Sequence, residues 1–327
     1  MRWMRVTWVV AAAAMAGSLA GCGRHSGAER YYLVASNTKL AYWQSAAAGL
    51  DKVSSEYNVH ADLRGPDTFD PKEQAEDFRA VVAQKPAGIL VSVIDPKLMQ
   101  PEIDAAIQAG IPVLTVDSDA PSSKRLYFIG TNNRVAGRLG GRALVQKLGG
   151  KGNVVVYTMP GQPNLEERLA GYKDVLANAP GIHIVDVVDI AGQSTVAFDQ
   201  TEKDIAKTGK DRVDGFVCLE SSAGKEVGEV LRRANLKDRV VIAMDVDRAT
   251  LELVKEGVIA ATVAQKPFTM AYVGVKMLDQ LHHDPLPSLT RNYAVDAQAP
   301  IPAFIDTGSA LVDASNVDDY LQTAPGH

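Results

Sequence analysis

The chain has 327 residues, of which 46% are hydrophobic and 22% charged. That is enough for two core-forming domains and too apolar for a disordered chain. A formal charge of −5, from 34 basic and 39 acidic residues, argues against sequence-independent binding to nucleic acid, whose phosphates demand a basic face. Two cysteines give no disulfide framework, and six histidines show neither HExxH spacing nor pairing with cysteines, so neither a metal site nor a cofactor is expected.

The N-terminus, MRWMRVTWVVAAAAMAGSLAGCG, places two arginines before a short apolar run and small residues. This is the layout of a secretory signal and too short and interrupted for a membrane span. Leu19-Ala20-Gly21-Cys22 also resembles the bacterial lipobox, so residues 1–22 are expected to end at a lipidated Cys22. Loss of Arg2 and Arg5 with the leader leaves 32 basic residues against 39 acidic ones, a net charge of −7. Residues 23–30, GRHSGAER, are small and polar and suit a tether.

From Tyr31 onward, strand-length apolar runs alternate with amphipathic segments of helical period. The runs are YYLVA, VHADLR, AGILVSV, IPVLTV and LYFIG, then NVVVYT, IHIVDVV, DGFVCL, RVVIAM and IAATV. This rhythm predicts βαβ units and an α/β fold. Two sets of five, divided near Gly130-Thr131-Asn132-Asn133, predict two similar doubly wound, Rossmann-like lobes with mainly parallel sheets. The first helix is predicted over about Ala41–Tyr57, with Trp43, Ala46, Ala47, Leu50, Val53 and Tyr57 on its core stripe. Cys218, inside GFVCL, reads as a small buried thiol. Asp95 before Pro96 reads as a helix start, and Gly149-Gly150-Lys151-Gly152 as a turn before a strand.

In doubly wound sheets, ligands bind at the carboxyl ends of the strands. The polar residues there are Ser36 and Lys39, then Asp117, Ser118 and Asp119, then Asn164 and Arg168. Gln193, Glu220, Asp245 and Gln265 follow. Carboxylates, a guanidinium and amides beside the aromatic pair Tyr42-Trp43 describe a site for a polyol. Such groups bridge neighbouring hydroxyls, and an aromatic face covers the C–H side of a sugar ring.

The stretches SNTKLAYWQ, IPVLTVDSDAP, YFIGTNNRVAGRLGG, GQPNLEERLAGY, DGFVCLESSAG, VVIAMDVD and GVIAATVAQKP stand in the order and spacing of one family. The chain from residue 31 resembles the ribose/galactose type of periplasmic binding protein, the type I fold that serves sugar ABC transporters. The resemblance implies that Tyr42 and Trp43 form the stacking pair and that Asp117, Arg168, Glu220, Asp245 and Gln265 hold the ligand. Lys39, Asp119, Asn164 and Ser36 are further contacts. It implies crossings between lobes near Thr131-Asn132, Gln265-Lys266 and Asp306. The lobes are then 31–131 plus 266–305 and 132–265 plus 306–327.

Ser118, Leu40 and Met244 depart from the ribose binders' pattern, so ribose specificity does not transfer. A neutral sugar or polyol is the first expectation, with a cationic or amino sugar as the alternative, since the pocket inventory is acidic. The implied function is a monomeric, extracytoplasmic, lipid-anchored receptor that closes on its ligand and delivers it to a membrane permease. Ligand sensing for a chemoreceptor or kinase uses the same binding event. A glycoside-acting enzyme would use two carboxylates as acid and base, but no catalytic motif accompanies them. The effector half of a lactose-repressor type regulator shares the fold, but this chain lacks a helix-turn-helix segment.

Overall fold

The computed structural model describes residues 25–323. In chain order the first part runs β1 (Arg30–Val34), α1 (Ala41–Tyr57), β2 (His60–Arg64), α2 (Pro71–Ala83), β3 (Gly88–Val91), α3 (Pro96–Gln108), β4 (Val113–Val116) and β5 (Phe128–Gly130). The second runs α4 (Asn133–Leu148), β6 (Lys151–Thr158), α5 (Pro163–Leu176), β7 (Gly181–Asp189), α6 (Ser194–Ile205), β8 (Gly215–Cys218), α7 (Ala223–Arg233), β9 (Val240–Met244), α8 (Arg248–Lys255) and β10 (Ala261–Ala264). The chain ends with α9 (Pro267–His283), β11 (Phe304–Asp306), β12 (Ala310–Val312) and α10 (Val317–Thr323).

These strands form two six-stranded sheets, in the orders β11-β5-β4-β3-β1-β2 and β12-β10-β9-β8-β6-β7. Every pairing between strands is parallel except β10 with β12. The α/β class and the ten expected strands are all present; β11 and β12 are additional. A strand covered on both faces has no polar side to present, so β3, β4, β8 and β10 are buried at every residue. The edge strand β7 is largely open to solvent. Each sheet carries its own core, one centred on Tyr31, Leu33, Leu90 and Leu114, the other on Val155, Phe216 and Ile242. Each large side chain so buried contributes roughly 1.5–3 kcal/mol.

Local chemistry sets the helix starts. Asp70 and Asp95 accept hydrogen bonds from the first free amides of α2 and α3, and each is followed by proline at the first helical position. The buried stripe of α1 is Trp43, Ala46, Gly49, Leu50 and Val53; Ala47 and Tyr57 are only partly covered. Helices α4 and α5 approach closely because glycine meets backbone on both sides. A Cβ on Gly137 would lie 2.0 Å from the Arg168 carbonyl oxygen, and one on Gly171 would lie 2.3 Å from that of Arg134.

The chain passes from one sheet to the other between β5 and α4, between β10 and α9, and between β11 and β12. The first and third passages are tied together: Asn132 N–H donates to Asp306 Oδ1 (3.2 Å) and Thr307 N–H to the Gly130 carbonyl (2.8 Å). No helix among the described residues is long and apolar enough to cross a membrane.

Candidate ligand-binding site between the two sheets

The strands of both sheets point their carboxyl ends at one cleft. Ser36 lies beyond β1, Asp117 beyond β4, Glu220 beyond β8, Asp245 beyond β9 and Gln265 beyond β10, while Asn164 and Arg168 come from the start of α5. All seven line one cavity together with Tyr42 and Trp43, and its volume is 40 Å³. Leu40, Phe69, Met159, Gln162, Leu165 and Ser221 complete the wall. A neighbouring groove of 340 Å³ shares Tyr42, Asp245 and Gln265 with this cavity and reaches Lys225, Phe268 and Tyr320.

Arg168 is only 2% exposed, and burial of a guanidinium demands partners. Its Nε donates to Asn133 Oδ1 (2.8 Å), Nη1 to the Leu219 carbonyl (2.8 Å) and Nη2 to Gln265 Oε1 (2.9 Å). Nη2 also lies 4.0 Å from Asp117 Oδ1, across the two lobes. Gln265 in turn donates to Asp245 Oδ1 (3.0 Å). One positive group is thus held by neutral acceptors, with two carboxylates within its field.

Asp117 accepts from the Tyr42 hydroxyl (2.9 Å) and from the Ser92 hydroxyl (3.1 Å), and Asn164 Nδ2 lies 3.5 Å away. Asp117 and Asp245 occupy matching places, each just past the fourth strand of its sheet. Both have left-handed backbone, with φ of 62° and 70°. Such a conformation in a non-glycine residue costs free energy and concentrates at functional sites. Burial pushes the carboxyls of Asp117, Glu220 and Asp245 above the usual range. Asp245 reaches about 7, because the carboxylates of Asp117 and Glu220 add to burial while Arg168 and Gln265 oppose it. The Tyr42 hydroxyl is raised by burial and by Asp117.

The aromatic pair stands at the cleft wall with its rings edge to face, centroids 5.0 Å apart. Trp43 is 3% exposed, and its Nε1 donates to Ser36 Oγ (3.1 Å). Phe69, from the loop before α2, packs across the cleft on the second core.

Two expected contacts stand apart from this group. Lys39 is exposed and pairs with Asp67 (3.2 Å). Asp119 is gripped by Arg125 through Nε (2.7 Å) and Nη2 (2.6 Å), and it lines a separate cavity. Glu220 does border the cleft, yet its two oxygens accept the amides of Ser222 (2.7 Å) and Ala223 (2.6 Å) at the start of α7. Phe69, Ser92, Asn133, Met159 and Gln162 join the site without having been singled out in the sequence. Cys218 is buried and unpaired with another cysteine. Cys22 lies outside the described residues.

Residues 31–283 match the periplasmic binding protein domain. Among curated proteins, the xylose/arabinose-binding protein XylF of Sulfolobus acidocaldarius is 26% identical over 275 residues, 79% of this chain and 64% of that protein. The match therefore spans somewhat under two thirds of that relative's length. Among solved structures, a sugar-binding protein of a sugar ABC transporter from Bacillus halodurans is 34% identical, with a TM-score of 0.76 over 89% of this chain and 99% of that one. The arabinose-binding protein AraP of Geobacillus stearothermophilus is 32% identical, with a TM-score of 0.74 over 90% of this chain and 99% of that one. With two parallel sheets facing one polar cleft and a match that runs through both of them, the chain belongs to the periplasmic binding protein family of the ribose/galactose type, the type I fold.

Proposed function

We propose that this protein is an extracytoplasmic solute receptor that captures a monosaccharide, an aldopentose such as arabinose or xylose first, by closure of its lobes and hands it to an ABC transporter permease. The observation that carries the reading is the buried polar ring of Asp117, Arg168, Asp245 and Gln265, drawn from both sheets and bordered by Tyr42 and Trp43. Relatives named for arabinose and xylose support a pentose. The lobes are residues 31–131 plus 266–305 and 132–265 plus 306–327. A lipid on Cys22 anchors the monomeric receptor to the membrane.

Magnitudes require both lobes. An aromatic contact gives about 0.5–1.5 kcal/mol, whereas micromolar affinity needs about 8 kcal/mol. Hydrogen bonds to charged groups contribute roughly 1.5–3 kcal/mol each, so the deficit is met only when Asp117 of the first lobe and Arg168 and Asp245 of the second act together. The acidic inventory does not demand a cationic ligand. Glu220 is committed to a helix start, and a raised Asp245 carries only part of its charge near neutrality, so a neutral sugar is accommodated. We assign the side chains that border the cleft a role in binding without catalysis.

Titration of the protein with a panel of pentoses, hexoses, polyols and amino sugars tests this. Trp43 is the only tryptophan beyond residue 8. A pentose should change its fluorescence saturably and raise the melting temperature. A panel in which no neutral sugar does either would defeat the reading.

A further inference from the structure

At the opposite end of the first lobe from the cleft, two segments bring imidazoles and carboxylates together. His25 precedes β1, Glu29 adjoins it, and Asp279 and His283 lie one turn apart on the same face of α9. His25 Nε2 is 3.0 Å from Asp279 Oδ2, His283 Nε2 is 3.5 Å from Asp279 Oδ1, and His283 Nε2 is 3.2 Å from Glu29 Oε2. One donor atom from each of His25, Asp279 and His283 falls within 4.8 Å of the others.

With one donor atom from each residue within 4.8 Å of the others, a small inward shift of the side chains would form a coordination shell. Zinc–nitrogen and zinc–oxygen bonds of about 2.0–2.1 Å place neighbouring ligands of a tetrahedron about 3.3 Å apart. The donors are also held from behind. Tyr31 donates its hydroxyl to Asp279 Oδ1 (3.1 Å) in the buried core, and Tyr57 stacks on the His25 ring at 4.3 Å. Outer partners of this kind orient metal ligands. Asp279 itself is 3% exposed. Lys276, one turn before Asp279, is occupied by Glu56 (3.0 Å) and the Tyr272 hydroxyl (3.1 Å). Two formal carboxylate charges therefore match one divalent cation, and two imidazoles select a zinc-class ion over magnesium or calcium.

We propose that His25, Asp279 and His283, with Glu29 as the fourth donor, bind a zinc-class divalent cation. The ion fastens the segment that leads out of the N-terminal tether to the last long helix of the first lobe. The test is calorimetric titration with zinc chloride of the untagged protein carrying Cys22→Ser, so that the one thiol left is the buried Cys218. One ion per chain should bind at micromolar affinity or tighter, with magnesium giving no heat. His25→Ala and His283→Ala should each weaken uptake at least tenfold, and the exposed His183→Ala should leave it unchanged. Circular dichroism checks that the variants fold; should His283→Ala fail to, His25→Ala, on a surface segment, decides alone. Absence of stoichiometric uptake, or uptake indifferent to His25→Ala, would reduce the cluster to a hydrogen-bonded network and overturn the proposal.

Discussion

Arg168 answers two demands with one side chain. Its three nitrogens each donate, to Asn133, Leu219 and Gln265, which fixes the fork, and its charge lies beside Asp117 and Asp245. Lysine keeps the charge but cannot reproduce a rigid fork. Arg168→Lys should therefore weaken pentose binding roughly 10–100-fold. Arg168→Ala also strands buried carboxylates and should cost about 3–5 kcal/mol of stability, read by calorimetry and by chemical denaturation.

Asp245 sets a pH dependence whose sign follows from its raised value. The folded protein keeps a proton at about 7 that the unfolded chain releases near the ordinary carboxylate value of about 4, so this group's contribution to stability is full below about 4 and is lost as pH rises to about 7. Melting of the sugar-free protein should fall over that window, and Asp245→Asn should flatten the slope. A sugar hydroxyl that donates to the ionised carboxylate lowers its pKa on binding, so affinity should rise between pH 5.5 and 7.5. An affinity constant over that range would show that Asp245 does not accept from the ligand.

The residues legible in the sequence were those whose position in the chain is also their position in the site. Ser36, Asp117, Asn164, Arg168, Glu220, Asp245 and Gln265 follow strands, and the strands end at the cleft. Lys39 and Asp119 sit beside them in the chain, but a residue or two of loop turns their side chains to Asp67 and Arg125. Phe69 and Ser92 are brought in by tertiary packing and carry no local signal. The cluster at His25 was hidden for the same reason, since its two segments lie 254 residues apart in the chain.

At the scale of elements, the α4–α5 contact positions the site. Gly137 rests on the Arg168 carbonyl, so the depth to which α5 settles fixes where the guanidinium arrives. Alanine would improve helix propensity by about 1 kcal/mol, yet its Cβ would meet backbone at 2.0 Å, which no rotamer change relieves. The clash wins: Gly137→Ala should destabilise by about 1–3 kcal/mol net and weaken sugar binding, and denaturation with calorimetry on one sample measures both. The strand and helix rhythm was plain in the sequence because buried parallel strands read as apolar runs. Strands β11 and β12 were not, since three residues in a polar, proline-containing segment hold no period to detect.

For the whole molecule, an apolar contact joins the two halves beside the cleft. Phe69 reaches from the first lobe onto the core of the second, against Gly192. Phe69→Ala should leave each lobe intact and shift the protein toward an open form, weakening pentose affinity about tenfold. Small-angle scattering should then show a larger radius of gyration without sugar and a return to the wild-type value at saturation. An unchanged radius would mean that Phe69 does not bias closure.

The three passages between sheets also bear on proteolysis. The stretch after β10 returns to give the first lobe α9 and β11, then goes back to give the second lobe β12 and α10. A protease that severs any one passage therefore produces no free lobe: each fragment stays woven into the other through packed helices and paired strands, and the clipped receptor holds together until it is denatured.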